Sequence, residues 1–299
     1  MYENCVLYKQ WLEYQKNFLL SKNVEIDGLN DEEISFYYFE YCIRVPGKLP
    51  YKVHLSRELL SNSKYAEFKE AIENIKYKAQ MAEDITPYLS KGILKIKKPD
   101  KMLNDWGVLH FHLGNDMKNG FISRTGELLF AYRDININPY ELYFLDIFEH
   151  GDWSKKRTIE IVHNNWKEAI EHYKIDSMID IEPKLSEEDH LKVRNANINS
   201  AVELSDGSFY MTLGGGLTTM GTNFSATQLK IYYMKYFCKL EQDLIKKYNI
   251  KSENLELILD IDPPHIYLKN NHFLAEKAKM IPLSIPQRDY LLYFLPLQN

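Results

Sequence analysis

Between Val108 and Phe148 the apolar residues recur with a period of two, in three runs whose connections are too short to hold a helix. The runs are Val108 to Leu113, Glu127 to Arg133 and Glu141 to Phe148, and turn-forming residues separate them at Asn115 to Gly120 and Asn136 to Pro139. Strands joined so closely pair with their sequence neighbours, because a parallel crossover needs a dozen residues or more. An antiparallel meander is therefore expected at the centre of the chain, and the rest must fold around it.

The flanks have helical period. Val6, Leu7, Trp11, Tyr14, Phe18 and Leu19 recur at spacings of three and four, and Asp31 is placed to cap a second helix through Ile34, Tyr37, Tyr38 and Tyr41. Pro46 and Pro50 break the pattern. A further helix is expected from about Ser63 to Ala82, with Phe68, Ile72 and Ile75 inward. Thr86 precedes Pro87 at the start of a short helix, and Gly92 leads into a strand-like Ile93 to Lys97. After the meander, Ser154 caps a helix expected to run to Tyr173. The acidic stretch 174–194 reads as a linker. Beyond it, Val202 to Leu204 and Phe209 to Leu213 form a hairpin across Asp206-Gly207, a helix runs from Ser225 to Tyr248, and strands follow at Leu255 to Ile261 and His265 to Lys269. That ββαββ order is a small α+β layer. The expected class is α+β, with a helical module over 1–62, an antiparallel core over 63–173, the linker over 174–194 and a C-terminal domain over 195–299.

Composition is globular, at 45% apolar and 26% charged residues. No run of 18 apolar residues exists, so no membrane partner is expected, and Lys9, Gln10, Glu13 and Gln15 interrupt any leader-like start. Three scattered cysteines, Cys5, Cys42 and Cys238, without a Cys-x-x-Cys pair, fit reduced thiols in a cytoplasmic protein. The net charge of -5 excludes a uniformly basic binder of nucleic acid. It also conceals an asymmetry: residues 1–43 carry 3 basic and 8 acidic groups, 44–101 carry 13 and 7, and 102–150 carry 3 and 7. The basic block culminates in Lys91, Lys95, Lys97, Lys98 and Lys101, where a polyanion such as RNA can be held by its phosphates. A solvated helix face, or pairing with the acidic segments, accounts for the same residues.

His110 and His112 are two apart on a strand and so share a face, where two imidazoles can divide acid and base roles or bind a metal. His150 ends the third run, and Asp134 and Asp146 lie nearby in sequence; with His110, His112 and His150 they would make a zinc or manganese set. A hydrogen-bonded structural histidine is the competing explanation. Lys155, Lys156 and Arg157 open a helix, an unfavourable end for cations unless they serve an anion. Gly214-Gly215-Gly216 precedes a helix and can present free amides to a phosphate, although no established phosphate-loop spacing is met. Asp260 and Asp262 form an Asp-x-Asp suited to magnesium, or simply a turn.

The strand Arg124-Thr125-Gly126-Glu127-Leu128-Leu129-Phe130-Ala131-Tyr132-Arg133, followed by Tyr143 to His150 and by Lys155-Lys156, resembles the RelE/HigB-like superfamily of ribonuclease toxins over about residues 64–165. The resemblance implies a bacterial RNA endonuclease of toxin or phage-defence type, cutting without metal and with an antitoxin or regulator as partner. Residue by residue it makes Arg124 and Arg133 phosphate ligands and His150 a proton-transfer group, with Lys155 and Lys156 completing the site. The His110/His112 pair and the chain length fall outside that family's pattern. The combined expectation places His110, His112, Arg133 and His150 in catalysis, and Arg124, Lys155, Lys156, Lys95, Lys97 and Lys98 on the substrate. A metal-dependent hydrolase, or a binding protein without catalysis, remains the alternative.

Overall fold

The structure, a computed structural model, describes residues 4–134, 140–177, 180, 182–258, 265–268 and 274–277. In chain order its helices are α1 (Val6–Ser21), α2 (Asp31–Arg44), α3 (Arg57–Ser61), α4 (Tyr65–Gln80), α5 (Lys101–Trp106), α6 (Arg157–Trp166), α7 (Glu187–Asn195) and α8 (Phe224–Tyr248). The strands are β1 (Lys52–Leu55), β2 (Val108–His112), β3 (Met117–Lys118), β4 (Phe121–Ile122), β5 (Glu127–Tyr132), β6 (Glu141–Glu149), β7 (Val202–Glu203), β8 (Phe209–Tyr210), β9 (Leu255–Ile258), β10 (His265–Leu268) and β11 (Leu274–Lys277). The class is α+β. No helix among the described residues is long and apolar enough to cross a membrane.

The chain divides into two compact units, residues 44–225 and residues 1–43 with 226–299. The larger unit is built on the expected meander. β2 pairs with β5 and β5 with β6, all antiparallel, and β1 adds in parallel beside β6, giving the order β1-β6-β5-β2. β5 and β6 are buried along nearly their whole length, which their almost unbroken apolar sequences require. Their pairing shifts register between Phe130 and Ala131. The shift changes the phase of β6, so that Tyr143 and Leu145 before it and Phe148 after it join one core cluster with Val108, Leu128, Phe130 and Tyr132. Trp106 from α5, Ile159 and Val162 from α6, and Val202 and Tyr210 from the β7/β8 hairpin close that cluster. Helices α3 and α4 pack against β6 and β1.

The smaller unit is organised by aromatic rings. Trp11 on α1 is fully buried, with its ring 5.4 Å from Tyr233 and 5.5 Å from Tyr38 and from Phe237, so it is shared by α1, α2 and α8. Buried Glu241 accepts the Leu7 amide at 2.8 Å and the Cys5 thiol at 3.3 Å, holding the start of α1 to α8. Gln10 donates to the Leu255 carbonyl at 3.1 Å and accepts the Leu257 amide, so one side chain serves the edge of β9. β9, β10 and β11 form an antiparallel sheet.

Several expectations are corrected. Ile93 to Lys97 is not a strand: Lys91–Leu94 is a 3-10 turn whose start Ser90 caps, and the buried Ile93 and Ile96 are three apart rather than two. The cap of α2 is Asn30, which accepts the Glu33 amide at 3.0 Å while Glu33 accepts its own, in place of Asp31. α6 starts at Arg157 without a side-chain cap and stops at Trp166, with two 3-10 turns after it. The acidic 174–194 segment is no plain linker, since it holds most of α7. Ser186 and Asp189 form a reciprocal capping box there, and Glu187, Glu188 and Asp189 are a first turn where negative charge is favoured.

The unit boundaries also differ from the expected domains. β1 and α3 belong with the meander and not with a 1–62 module. The ββαββ order is split, because Val202, Leu204 and Tyr210 are core to the meander, and Lys174 bridges Tyr210, while α8 and β9 belong with α1. The turn expected at Asn136 to Pro139 and the Asp260/Asp262 pair lie outside the described residues.

Candidate functional site

α5 and β2 meet at a turn that fixes everything after it. Asp100 accepts the Leu103 amide at 3.1 Å and caps α5, and Gly107 ends it with φ 71°. A Cβ at Gly107 would stand 2.8 Å from the Tyr132 ring and 3.1 Å from the Leu213 carbonyl, so only glycine allows this approach. β2 then places His110 opposite Phe130 and His112 opposite Leu128.

At the far end of β6, the His150 amide donates to the Gly126 carbonyl at 2.8 Å, and Glu149 donates its amide to Asp152 Oδ2 at 3.1 Å. Gly151 takes φ 119°, and this tight turn brings Trp153 back over the sheet. The Trp153 ring stacks on Phe130, with centroids 5.8 Å apart and planes at 8°. It also packs against two imidazoles, 5.0 Å from His110 and 5.1 Å from His150.

His110, His150 and Trp153 line a cleft of about 560 Å³, the size of site that takes a small organic ligand or one nucleotide unit. Leu89, Ile93, Met102 and Leu191 make its apolar walls, and its charged lining is Arg44, Lys98, Lys101 and Arg194 with Asp100, Arg194 being paired with the buried Asp105 behind the wall. Burial holds His110 below the ordinary imidazole value; Asp100 opposes the effect and His150 adds to it. The His110 Nδ1 atom is buried without a hydrogen-bond partner. A neutral imidazole beside an excess of cations can bind an anion and accept a proton from it.

The other expected residues do not join them. His112 is only 4% exposed, does not line the cleft, and is pushed down to about 4, first by burial and then by His110, Arg124 and His150. Arg133 is 1% exposed and sits against Tyr51, whose phenol is raised by burial and pulled back by this guanidinium. It is a structural cation, absent from the cleft lining. Arg124 is exposed outside the cleft. Lys155 pairs with Glu187 at 3.2 Å, and the Lys156 amide donates to the same carboxylate at 3.0 Å, so the cations opening α6 serve the start of α7. Of the lysine cluster, Lys95, Lys97 and Lys98 are exposed, and Lys98 and Lys101 line the cleft while Lys95 and Lys97 do not. Much of the remaining basic block pairs with acids, as in Lys52–Glu141 at 3.4 Å, Lys64–Glu127 at 2.8 Å and Lys78–Glu83 at 2.8 Å.

Among the described residues no three His, Cys, Asp or Glu side chains gather to hold a metal ion. Asp146 instead accepts Arg157 at 2.8 Å and Asn62 at 2.7 Å, and Asp134 accepts Tyr173 at 3.0 Å and lies 2.9 Å from His172 Nε2. The glycine loop offers no free amides: Gly214, Gly215 and Gly216 donate to the carbonyls of Asp105, Thr212 and Asn104. Its glycines exist for packing, since a Cβ at Gly214 would fall 1.9 Å from the Leu103 carbonyl oxygen.

Trp153 and Arg194 are the site residues that reading for motifs missed. Arg194 was hidden in the supposed linker, and the Ser186-x-x-Asp189 capping box was the signal that a helix, with an inward face, begins there. No protein-family model, curated protein or solved structure matches this chain.

Proposed function

We propose that the protein is an RNA endonuclease and that the cleft between β2, the turn after β6, and α7 is where it cuts. The observation that carries this reading is the packing of His110 and His150 against the same Trp153 ring, in a cleft whose charged lining is mostly cationic. RNA supplies its own nucleophile, the 2′-hydroxyl. His110, kept neutral by burial, accepts that proton as the 2′-oxygen attacks phosphorus. His150, at the exposed edge, donates a proton to the departing 5′-oxygen as the P–O bond breaks. The products are a 2′,3′-cyclic phosphate and a 5′-hydroxyl, so atoms and charge balance without a co-reactant. The Trp153 face suits a base adjacent to the cut, because stacking on an aromatic ring tolerates any base.

The resemblance to RelE/HigB-like toxins points the same way for His150, while the cleft replaces Arg133, Arg124, Lys155 and Lys156 by other cations. The test is incubation of the purified chain with a labelled single-stranded RNA in the presence of EDTA. Cleavage to cyclic-phosphate ends is expected, with losses of about 10² to 10⁴ in His110→Ala and in His150→Ala. Absence of cleavage by the wild type, or full activity in both variants, overturns the reading; binding without cleavage would leave a nucleic-acid-binding protein.

A further inference from the structure

Arg194 is 2% exposed and lines the cleft, yet its guanidinium is only partly satisfied. Nε donates to Asp105 Oδ2 at 2.8 Å, Nη1 donates to the main-chain carbonyl of Trp153, and the group lies 4.0 Å over the Trp106 ring. The third nitrogen, Nη2, is buried and has no hydrogen-bond partner. Two bonds and one stacking contact fix the plane of the fork, so Nη2 is held in place before any ligand arrives. An unmet donor on a buried cation is costly, and a guanidinium so oriented matches the geometry of a phosphate oxygen better than any other side chain does.

The carbonyl that grips Nη1 belongs to Trp153, the residue whose ring packs against both His110 and His150. One residue thus sets the guanidinium and the two imidazoles relative to one another. On these grounds we infer that Arg194 Nη2 is the seat for a non-bridging oxygen of the substrate's phosphodiester, with Asp105 and Trp106 as its positioning residues. The inference rests on the ribonuclease reading for the identity of the substrate, though the seat itself requires only a phosphodiester anion.

The probe is a 2′-O-methyl RNA oligonucleotide, which presents the phosphates but cannot be cut. Its affinity is measured by fluorescence anisotropy across a salt series. Removing Arg194 alone strands Asp105 in the core, so the informative variant is the double substitution Arg194→Gln with Asp105→Asn, which replaces both charges with groups that still hydrogen-bond. Arg194→Lys is its companion, keeping the charge without the fork. The double variant is expected to melt cooperatively, to bind about tenfold to a hundredfold more weakly, and to lose about 0.7 from the slope of log affinity against log salt. The lysine variant should keep the slope and lose affinity. A folded double variant with wild-type affinity and slope overturns the inference, as does a wild type that does not bind the probe. Cleavage of ordinary RNA is followed separately. Binding that depends on Arg194 without cleavage sinks the nuclease reading and leaves the seat standing; cleavage indifferent to Arg194 does the reverse.

Discussion

Substitution of His112 by leucine separates a structural from a catalytic role for the most conspicuous motif in the chain. His112 is 4% exposed, its Nδ1 has no partner, and burial with nearby cationic groups holds it down to about 4. An unfolded-chain histidine titrates near 6.5. The unfolded state therefore binds the extra proton between those values, and stability rises with pH across that window. The contribution is complete above about 6.5 and drains away as the pH falls toward 4. With about 1.4 kcal/mol per unit, lowering the pH from 7 to 4.5 should cost the wild type about 2.5 kcal/mol through this residue alone. Leucine, facing Leu128 across the ladder, has nothing to protonate. Urea unfolding of both proteins at pH 7 and at 4.5 gives the double difference, from which the lowered His110 and His190 and every carboxylate cancel. His112→Leu should be within about 1 kcal/mol of wild type at pH 7 and gain about 2.5 kcal/mol on it at pH 4.5, while still cutting RNA. An unchanged stability gap between the two pH values, or loss of cleavage in a folded variant, would refute the burial argument.

Other consequences are as direct. Gly214→Ala drives a methyl into the Leu103 carbonyl and the Gly107 amide, at 1.9 and 2.5 Å, and should destabilise by about 3 kcal/mol or more, read as a fall in melting temperature. Ser186→Ala removes one arm of the capping box of α7; a loss of about 1 kcal/mol in urea titration is expected, and no loss would mean that the box is idle. Lys98→Ala should leave the fold intact and reduce the salt slope of RNA binding by about 0.7, whereas Lys155→Ala, whose ammonium already serves Glu187, should leave that slope unchanged.

The meander was legible from sequence because three consecutive apolar runs joined by connections too short for a crossover are a local pattern with one economical solution, and the observed ladders follow it from Val108 to Glu149. Helices α1, α4 and α8 were legible for the same reason, since an apolar stripe at spacing three and four is a local property. Three things were not local. The parallel addition of β1 to β6 joins residues 52–55 to 141–144, and nothing in either segment announces the other. The grouping of α1 with α8 depends on rings such as Trp11 and Tyr233, far apart in the chain, finding one core. The site depended on direction as well as spacing. Shared period put His110 and His112 on one face, but position along the strand decided their fates, with His110 at a cleft beside Trp153 and His112 closed off from it. The sequence alone determined which residue types were available for proton transfer and phosphate binding. Tertiary packing decided which of them met: a buried Arg194 came in from a segment that looked like a linker, and Arg133, Lys155 and Lys156 were spent on holding the fold, because charge is conserved along the chain but its partners are chosen in space.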